Sequence, residues 1–128
     1  MAIRIEREFS ASPDALWAIV GVPDRTDWVP GVAGCTWDGE IRRLDMPGAG
    51  EIAERILAVD DEARVISYSC IESAAPLEHH LARIEVQGSM SQSRMIWTTE
   101  VKPEAFESFI EESMLGCLER IEALLLAG

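Results

Sequence analysis

The hydrophobic pattern of this chain has two periods, and the last quarter shows the helical one. From Pro103 to Leu126, apolar residues recur every three or four positions, which predicts one long amphipathic helix with Pro103 at its first position. The predicted apolar stripe consists of Phe106, Phe109, Ile110, Met114, Cys117, Leu118, Ile121, Leu124 and Leu125. A stripe of this length needs an extended apolar partner.

Most of the chain before this helix alternates between apolar and polar residues with the period of two that β-strands show. The predicted strands span residues 3–9, 35–38, 41–46, 51–59, 64–72, 79–87 and 93–101. The joints between the last six strands are short and rich in glycine, proline, serine and acidic residues, which tight turns require. Strands joined in this way run antiparallel, so the pattern predicts a seven-stranded antiparallel sheet curved around the long helix.

Two short helices are predicted between the first and second strands. Ser12 is a favourable N-cap and Pro13 suits the first helical position, so a short helix begins there. Residues 24–34, which include Trp28, are too irregular for a strand and too apolar for a solvated loop. They predict a second helical turn followed by a covering segment. The predicted fold class is therefore α+β, in a single domain over residues 1–128.

Composition and charge narrow the function classes. With 128 residues, of which 48% are hydrophobic, the chain can form one domain with a sizeable core. A formal net charge of −12 disfavours binding to nucleic acid or to an anionic membrane. Three widely spaced cysteines argue against a disulfide framework and suit a reducing cytoplasm. The charged first residues and the lack of a long apolar run predict neither a signal peptide nor membrane insertion.

Several local strings, together with the order of elements, resemble one superfamily. They are Ser12-Pro13-Asp14-Ala15-Leu16-Trp17, Trp28-Val29-Pro30-Gly31-Val32, Gly50-Glu51-Ile52-Ala53-Glu54-Arg55-Ile56-Leu57-Ala58-Val59-Asp60-Asp61-Glu62 and Ser67-Tyr68-Ser69. Over essentially its whole length the chain resembles the START-like, helix-grip (SRPBCC) superfamily, specifically its polyketide cyclase/dehydrase-like branch. The resemblance implies a deep cavity between sheet and C-terminal helix that takes a small hydrophobic or amphipathic molecule. It does not select one function, because the superfamily contains cyclases, dehydratases, lipid carriers and hormone receptors.

Strand parity places several polar side chains on the inner face of the predicted sheet. Glu54, Tyr68 and His80 each alternate with apolar residues that face the core. If residues 46 and 51 flank a four-residue turn, Arg43 lies opposite Glu54, close enough for a cross-strand ion pair. Arg43, Glu54, Tyr68 and His80 therefore form a predicted polar group on an apolar wall, which is typical of a small-molecule site.

Three larger side chains complete the predicted ligand-binding set, namely Trp28, Trp97 and Met114. Each predicted residue also has a purely structural interpretation. The carboxylate and the arginine can form an ion pair that holds the sheet together, because leaving either charge alone in the core is costly. The phenol and the imidazole can be core groups with satisfied hydrogen bonds, and the three large residues can be core packing.

One strand and turn, from Glu54-Arg55-Ile56 to Asp60-Asp61-Glu62, also look like the matching part of the plant abscisic-acid receptors. This resemblance implies that Glu54, Tyr68 and His80 occupy cavity positions. It further implies that the Met46-Pro47-Gly48-Ala49-Gly50 turn corresponds to a gate loop, whose glycines permit movement. Where those receptors place a lysine for the carboxylate of the ligand, this chain has Ala33. An acidic, hormone-like ligand is therefore not expected.

The sequence predicts neither a metal nor another cofactor. His79 and His80 are the only two histidines, and adjacent residues of a strand point to opposite faces, so they do not bind one ion together.

Three function classes stay open. The first is a carrier or sensor that binds a small hydrophobic molecule in the cavity. The second is an enzyme of cyclase or dehydratase type, with His80 or Glu54 as acid or base and Tyr68 or Arg43 at the enolate oxygen. The third is a partner-binding module or homodimer that uses Trp37 or a sheet edge. A glutamate that is paired with an arginine is a poor base, which favours the first class.

Overall fold

The alternating segments of the sequence form seven strands in the computed structural model, which describes residues 2–48 and 50–127. The strands are β1 (Ala2–Phe9), β2 (Gly34–Trp37), β3 (Ile41–Met46), β4 (Gly50–Asp60), β5 (Val65–Glu72), β6 (His79–Ser89) and β7 (Gln92–Lys102). The helices are α1 (Pro13–Val20) and α2 (Glu107–Ala127), and a short 3₁₀ helix, Glu104–Phe106, precedes α2. The predicted helix-grip fold is confirmed.

All neighbouring strands are antiparallel, in the order β1-β7-β6-β5-β4-β3-β2. Although Ile96, of the opposite parity on β7, is also buried, the predicted inner parity holds on the central strands, where the buried inward residues include Ile66, Tyr68, Ala82, Ile84, Val86, Met95, Trp97, Thr99 and Val101. Alternate side chains of a strand share one face, so these residues form one continuous inner wall.

Helix α1 begins and ends as its local sequence requires. The Ser12 hydroxyl accepts a hydrogen bond of 3.1 Å from the backbone N–H of Ala15, which is the N-cap arrangement. At the other end, the backbone N–H of Gly21 donates to the carbonyl of Trp17.

The second predicted short helix does not form, and this prediction is wrong. The stretch after α1 consists of turns, such as the 3.0 Å bond from the Val29 N–H to the Thr26 carbonyl. Pro23 and Pro30 lack the N–H that a helical ladder needs, and Gly31 has a φ of +87°. The turns instead bring Trp28 into the core, where its ring packs edge-on against Trp97 at a centroid distance of 5.7 Å.

Helix α2 begins later than predicted. Pro103 is extended and precedes the 3₁₀ helix, so it is not the first residue of a regular α-helix. The stripe is buried only in part: Met114, Cys117, Leu118 and Ile121 are buried. Phe109 is 70% exposed, so its predicted burial is also wrong.

The two halves of α2 have different surroundings. Its closest packing is against β1 and α1. Near this contact, Arg120 Nε donates a 3.0 Å hydrogen bond to the Asp27 carbonyl, which attaches the turn segment to the helix. The N-terminal half faces β3–β7 across a cavity. Neither α1 nor α2, nor any other helix of the described residues, combines the length and apolarity needed to cross a membrane.

We expect Gly21→Ala to destabilise the protein. A Cβ atom at this position would lie 2.3 Å from the indole of Trp17, and that ring is held by a 2.9 Å bond from its Nε1 to Asp61. Overpacking of this kind costs roughly 1–3 kcal/mol. The matched control is Gly116→Ala in α2, where the nearest atom is 3.9 Å away, so the gain in helix propensity should stabilise by about 0.5–1 kcal/mol. Urea unfolding measures both, and equal effects would contradict this packing.

Candidate functional site

A cavity of about 290 Å³ lies between the N-terminal half of α2 and the inner face of the sheet. Its walls are mostly apolar and include Trp28, Leu44, Ile52, Trp97, Ile110 and Met114. Phe109 also borders the cavity although most of its surface is exposed, which places this ring at the opening. Apolar walls with a few converging polar groups are the usual construction of a small-molecule site.

Six of the seven predicted site residues line this cavity, namely Trp28, Glu54, Tyr68, His80, Trp97 and Met114. Arg43 does not, and its predicted position is wrong. Its guanidinium is exposed on the outer face, where Nη1 lies 3.3 Å from Glu51 and 3.2 Å from Glu72.

Arg43 faces outward because the β3–β4 hairpin has a different register from the predicted one. Met46 pairs with Gly50 and not with residue 51, so Arg42 lies opposite Glu54. A shift of one residue moves every side chain of a strand to the other face. Gly50 has a φ of +90°, which glycine adopts at little cost and which lets β4 begin one residue earlier than predicted.

The parity of β3 contains the signal that identifies Arg42. Leu44 and Met46 share a face with Arg42 and line the cavity, whereas the charged Asp45 shares a face with Arg43 and is exposed. The turn predicted to act as a gate includes Ala49, which lies outside the described residues, and gating stays a prediction.

Arg42 and Glu54 form an ion pair inside the sheet. The Arg42 Nε lies 2.7 Å from Glu54 Oε1, and the two side chains are only 5% and 14% exposed. Arg42 Nη1 donates a second bond, of 2.9 Å, to the Pro23 carbonyl, and the guanidinium lies 4.8 Å from the centre of the Tyr68 ring. Arg42 therefore joins β3, β4 and the turn segment, and its charge is offset by the paired carboxylate.

His80 lies where the ladder between β5 and β6 ends. The last paired residues are Tyr68 and Ala82. Beyond them, His80 Nδ1 accepts a 2.9 Å hydrogen bond from the backbone N–H of Cys70, and the Ser69 hydroxyl donates a 2.5 Å bond to the His80 carbonyl. The imidazole thus replaces a backbone partner in the ladder.

This contact determines the protonation of His80. A nitrogen that accepts a hydrogen bond carries no proton, so the neutral ring has its proton on Nε2. Burial lowers the pKa of His80, and the nearby Glu54 carboxylate opposes this effect only in part. His80 is therefore a neutral imidazole whose remaining nitrogen is a donor. His79 lies on the outer face, with Nε2 3.0 Å from Glu100.

Tyr68 is the second polar group beside His80, with the two ring centres 6.1 Å apart. Burial raises the pKa of the Tyr68 hydroxyl, and the Glu54 carboxylate raises it further, while Arg42 and the indole N–H of Trp97 oppose the rise. The hydroxyl therefore keeps its proton. The Trp97 N–H is near this hydroxyl but has no well-aligned hydrogen-bond partner among the described residues.

Neither reactive thiolates nor a metal site is found among the described residues. Burial raises the pKa of Cys117 to about 12 and also raises that of Cys70, so both thiols stay protonated. Within residues 2–48 and 50–127, no three histidine, cysteine or acidic side chains are grouped closely enough to hold a metal ion. Trp37, the side chain considered for a partner contact, is half-buried.

This chain is similar to one protein family and to several solved structures. The family described as polyketide cyclase/dehydrase and lipid transport matches residues 2–125. Comparison with curated proteins gives no match. Among solved structures, XoxI from Bacillus cereus is 23% identical, with a TM-score of 0.89 over 98% of this chain and 95% of that chain.

A second structural neighbour is norcoclaurine synthase from Thalictrum flavum. It is 24% identical, with a TM-score of 0.78 over 100% of this chain and 87% of that chain. That synthase has also been solved in complex with dopamine and hydroxybenzaldehyde, and this structure is 21% identical, with a TM-score of 0.70 over 99% of this chain and 87% of that chain. At this level of identity the likeness shows a shared fold.

We expect Arg42→Ala to destabilise the protein strongly, because it leaves the Glu54 carboxylate buried without its partner. Breaking one side of a buried ion pair costs roughly 3–5 kcal/mol. The matched control is the neighbouring Arg43→Ala, which removes only contacts between exposed groups and should have little effect. Urea unfolding distinguishes the two, and a larger loss for Arg43→Ala would show that the hairpin has the other register.

The stability of the protein should also depend on the protonation of His80. Its folded-state pKa lies below the value of about 6.5 expected when unfolded, so the unfolded chain binds the proton more readily. The stabilising contribution is therefore complete above pH 6.5 and is lost as the pH falls from there toward the folded pKa. We expect His80→Asn to flatten the dependence of the unfolding free energy on pH below about 6.5. Urea titrations of the wild type and of His80→Asn at a series of pH values measure the two slopes, and equal slopes would contradict the assignment.

Proposed function

Because this chain belongs to the polyketide cyclase/dehydrase and lipid transport family, we propose that it binds a small hydrophobic or amphipathic molecule between the sheet and α2, as a carrier or sensor. The cavity of about 290 Å³ is the observation that carries this proposal. It is about twice the size of the roughly 150 Å³ cavity that takes up benzene. A molecule built on about two fused rings would fit.

The complex of norcoclaurine synthase with dopamine and hydroxybenzaldehyde supports an aromatic ligand, because both molecules combine one ring with polar substituents. The walls of the present cavity suit such a molecule. Trp28 and Trp97 provide aromatic surface, while Glu54, Tyr68 and His80 provide polar groups.

Binding is better supported than cyclase or dehydratase chemistry. A general base needs a free lone pair within reach of the substrate proton. The Nδ1 lone pair of His80 already accepts the Cys70 N–H, and Oε1 of Glu54 is engaged by Arg42 Nε at 2.7 Å. A carrier or sensor needs only a cavity of suitable volume and a few groups that orient the ligand, and this cavity has both.

Native mass spectrometry of the protein purified from cell extract should detect a retained small molecule. A titration with the neutral fluorophore N-phenyl-1-naphthylamine then measures binding to the cavity. We expect Ser113→Phe to weaken fluorophore binding by at least about tenfold, because Ser113 borders the cavity and the added ring would occupy it.

The matched control is Ser108→Phe, which makes the same substitution at an exposed position of α2 away from the cavity. Its affinity for the fluorophore should equal that of the wild type, and thermal unfolding should show that both variants are folded. Equal affinity of the two variants, or no binding by the wild-type protein, would contradict the proposed function.

A further inference from the structure

One end of the cavity presents hydrogen-bond donors without charge. The Cys70 N–H occupies His80 Nδ1, so the imidazole has one nitrogen left, and no described residue accepts a hydrogen bond from it. His80 lines the cavity, and Nε2, the ring nitrogen farther along the side chain, is the atom left to meet a bound molecule. The imidazole is therefore placed as a donor to a molecule in the cavity.

Tyr68 adds a second donor close to the first. The two rings are 6.1 Å apart and tilted by 42°, and both line the same cavity. A phenol in its protonated form donates one hydrogen bond. An oxygen atom of a bound molecule has two lone pairs, so it can accept from both donors at once.

The same end of the cavity offers no free positive charge. Arg42 is the only lysine or arginine that borders the cavity among the described residues. Its guanidinium is engaged by the Glu54 carboxylate and by the Pro23 carbonyl. A carboxylate in this place would lack a cation and would lie near the negative charge of Glu54. Burying an unpaired charge is far more costly than burying a neutral carbonyl group.

We propose that the cavity selects a neutral molecule with a carbonyl oxygen, which accepts hydrogen bonds from His80 Nε2–H and the Tyr68 hydroxyl. This inference rests on the proposed function and adds the chemical class of the ligand. The apolar walls hold the body of the molecule, and the two donors orient its carbonyl end.

Three probes of nearly equal shape test this selection, namely 2-acetylnaphthalene, 2-isopropenylnaphthalene and 2-naphthoate. The first two differ only in whether an oxygen atom or a CH₂ group stands at the end of the double bond. Titration followed by tryptophan fluorescence gives the affinity of each. We expect the ketone to bind about tenfold more tightly than the hydrocarbon, because its oxygen satisfies buried donors. The naphthoate should bind more weakly than the ketone.

Two variants connect the preference to its residues. In His80→Asn, the amide oxygen takes the place of Nδ1 and can still accept from the Cys70 N–H, while the donor at Nε2 is removed. Tyr68→Phe removes the hydroxyl and keeps the ring. In each, the ratio of ketone to hydrocarbon affinity should fall from about tenfold to about threefold, since one of two similar donors is lost. His79→Asn, on the outer face, should keep the wild-type ratio.

The hydrocarbon is the internal control for folding, because its binding needs only the apolar cavity. If His80→Asn fails to bind it, Tyr68→Phe alone decides the question. Equal affinities of ketone and hydrocarbon in the wild type, an unchanged ratio in Tyr68→Phe, or tightest binding of the naphthoate would overturn the inference. In each of these cases binding to the cavity would still support the proposed function. If the wild type binds none of the three probes, the proposed function itself fails.

Discussion

The rest of this structure depends on the burial of the C-terminal half of α2 against β1 and α1. Leu118 and Ile121 are fully buried, and hydrophobic burial of this kind is the dominant favourable contribution to folding. An apolar cavity costs stability because its walls lose contacts that a filled core would make. The close packing of the C-terminal half of α2 offsets that cost. It thereby allows the first turns of α2 to remain apart from the inner wall, where Phe109 and Ile110 border the cavity, up to Met114, whose sulfur accepts a 3.5 Å hydrogen bond from the Thr99 hydroxyl.

The Arg42–Glu54 pair also stabilises the structure, because it joins parts of the chain that are distant in sequence. It links β3 to β4, and through the Pro23 carbonyl it holds the turn segment that carries Trp28. The structural and the ligand-site interpretations of Glu54 are therefore compatible, because the pair both stabilises the sheet and borders the cavity. A buried pair is tolerated when further hydrogen bonds satisfy its groups, as the bond to Pro23 does here.

Much of this architecture follows from periodicity, and the failures have identifiable causes. Alternation alone locates the seven strands and turns Glu54, Tyr68 and His80 inward. It cannot determine the length of the β3–β4 turn, because that length depends on a positive φ that Gly50 permits but does not require. Because the predicted turn is one residue too long, the prediction places Arg43 opposite Glu54, where the structure has Arg42. The bond from the Cys70 N–H to His80 was also beyond sequence reasoning, because it depends on where the β5–β6 ladder ends.

That ladder end gives His80 its particular character. Had the strands continued to pair, a carbonyl would have accepted the Cys70 N–H, and the imidazole would have been free to take either tautomer. Because Nδ1 accepts this 2.9 Å bond, the basic lone pair of the ring is engaged, and Nε2–H stays available as a donor. The donor stands beside an ion pair whose two charges offset each other, in a chain with a net charge of −12. Such a cavity offers no free partner to a charged ligand and therefore favours neutral ones. Shape and the direction of a few neutral hydrogen bonds are what remain to discriminate among them.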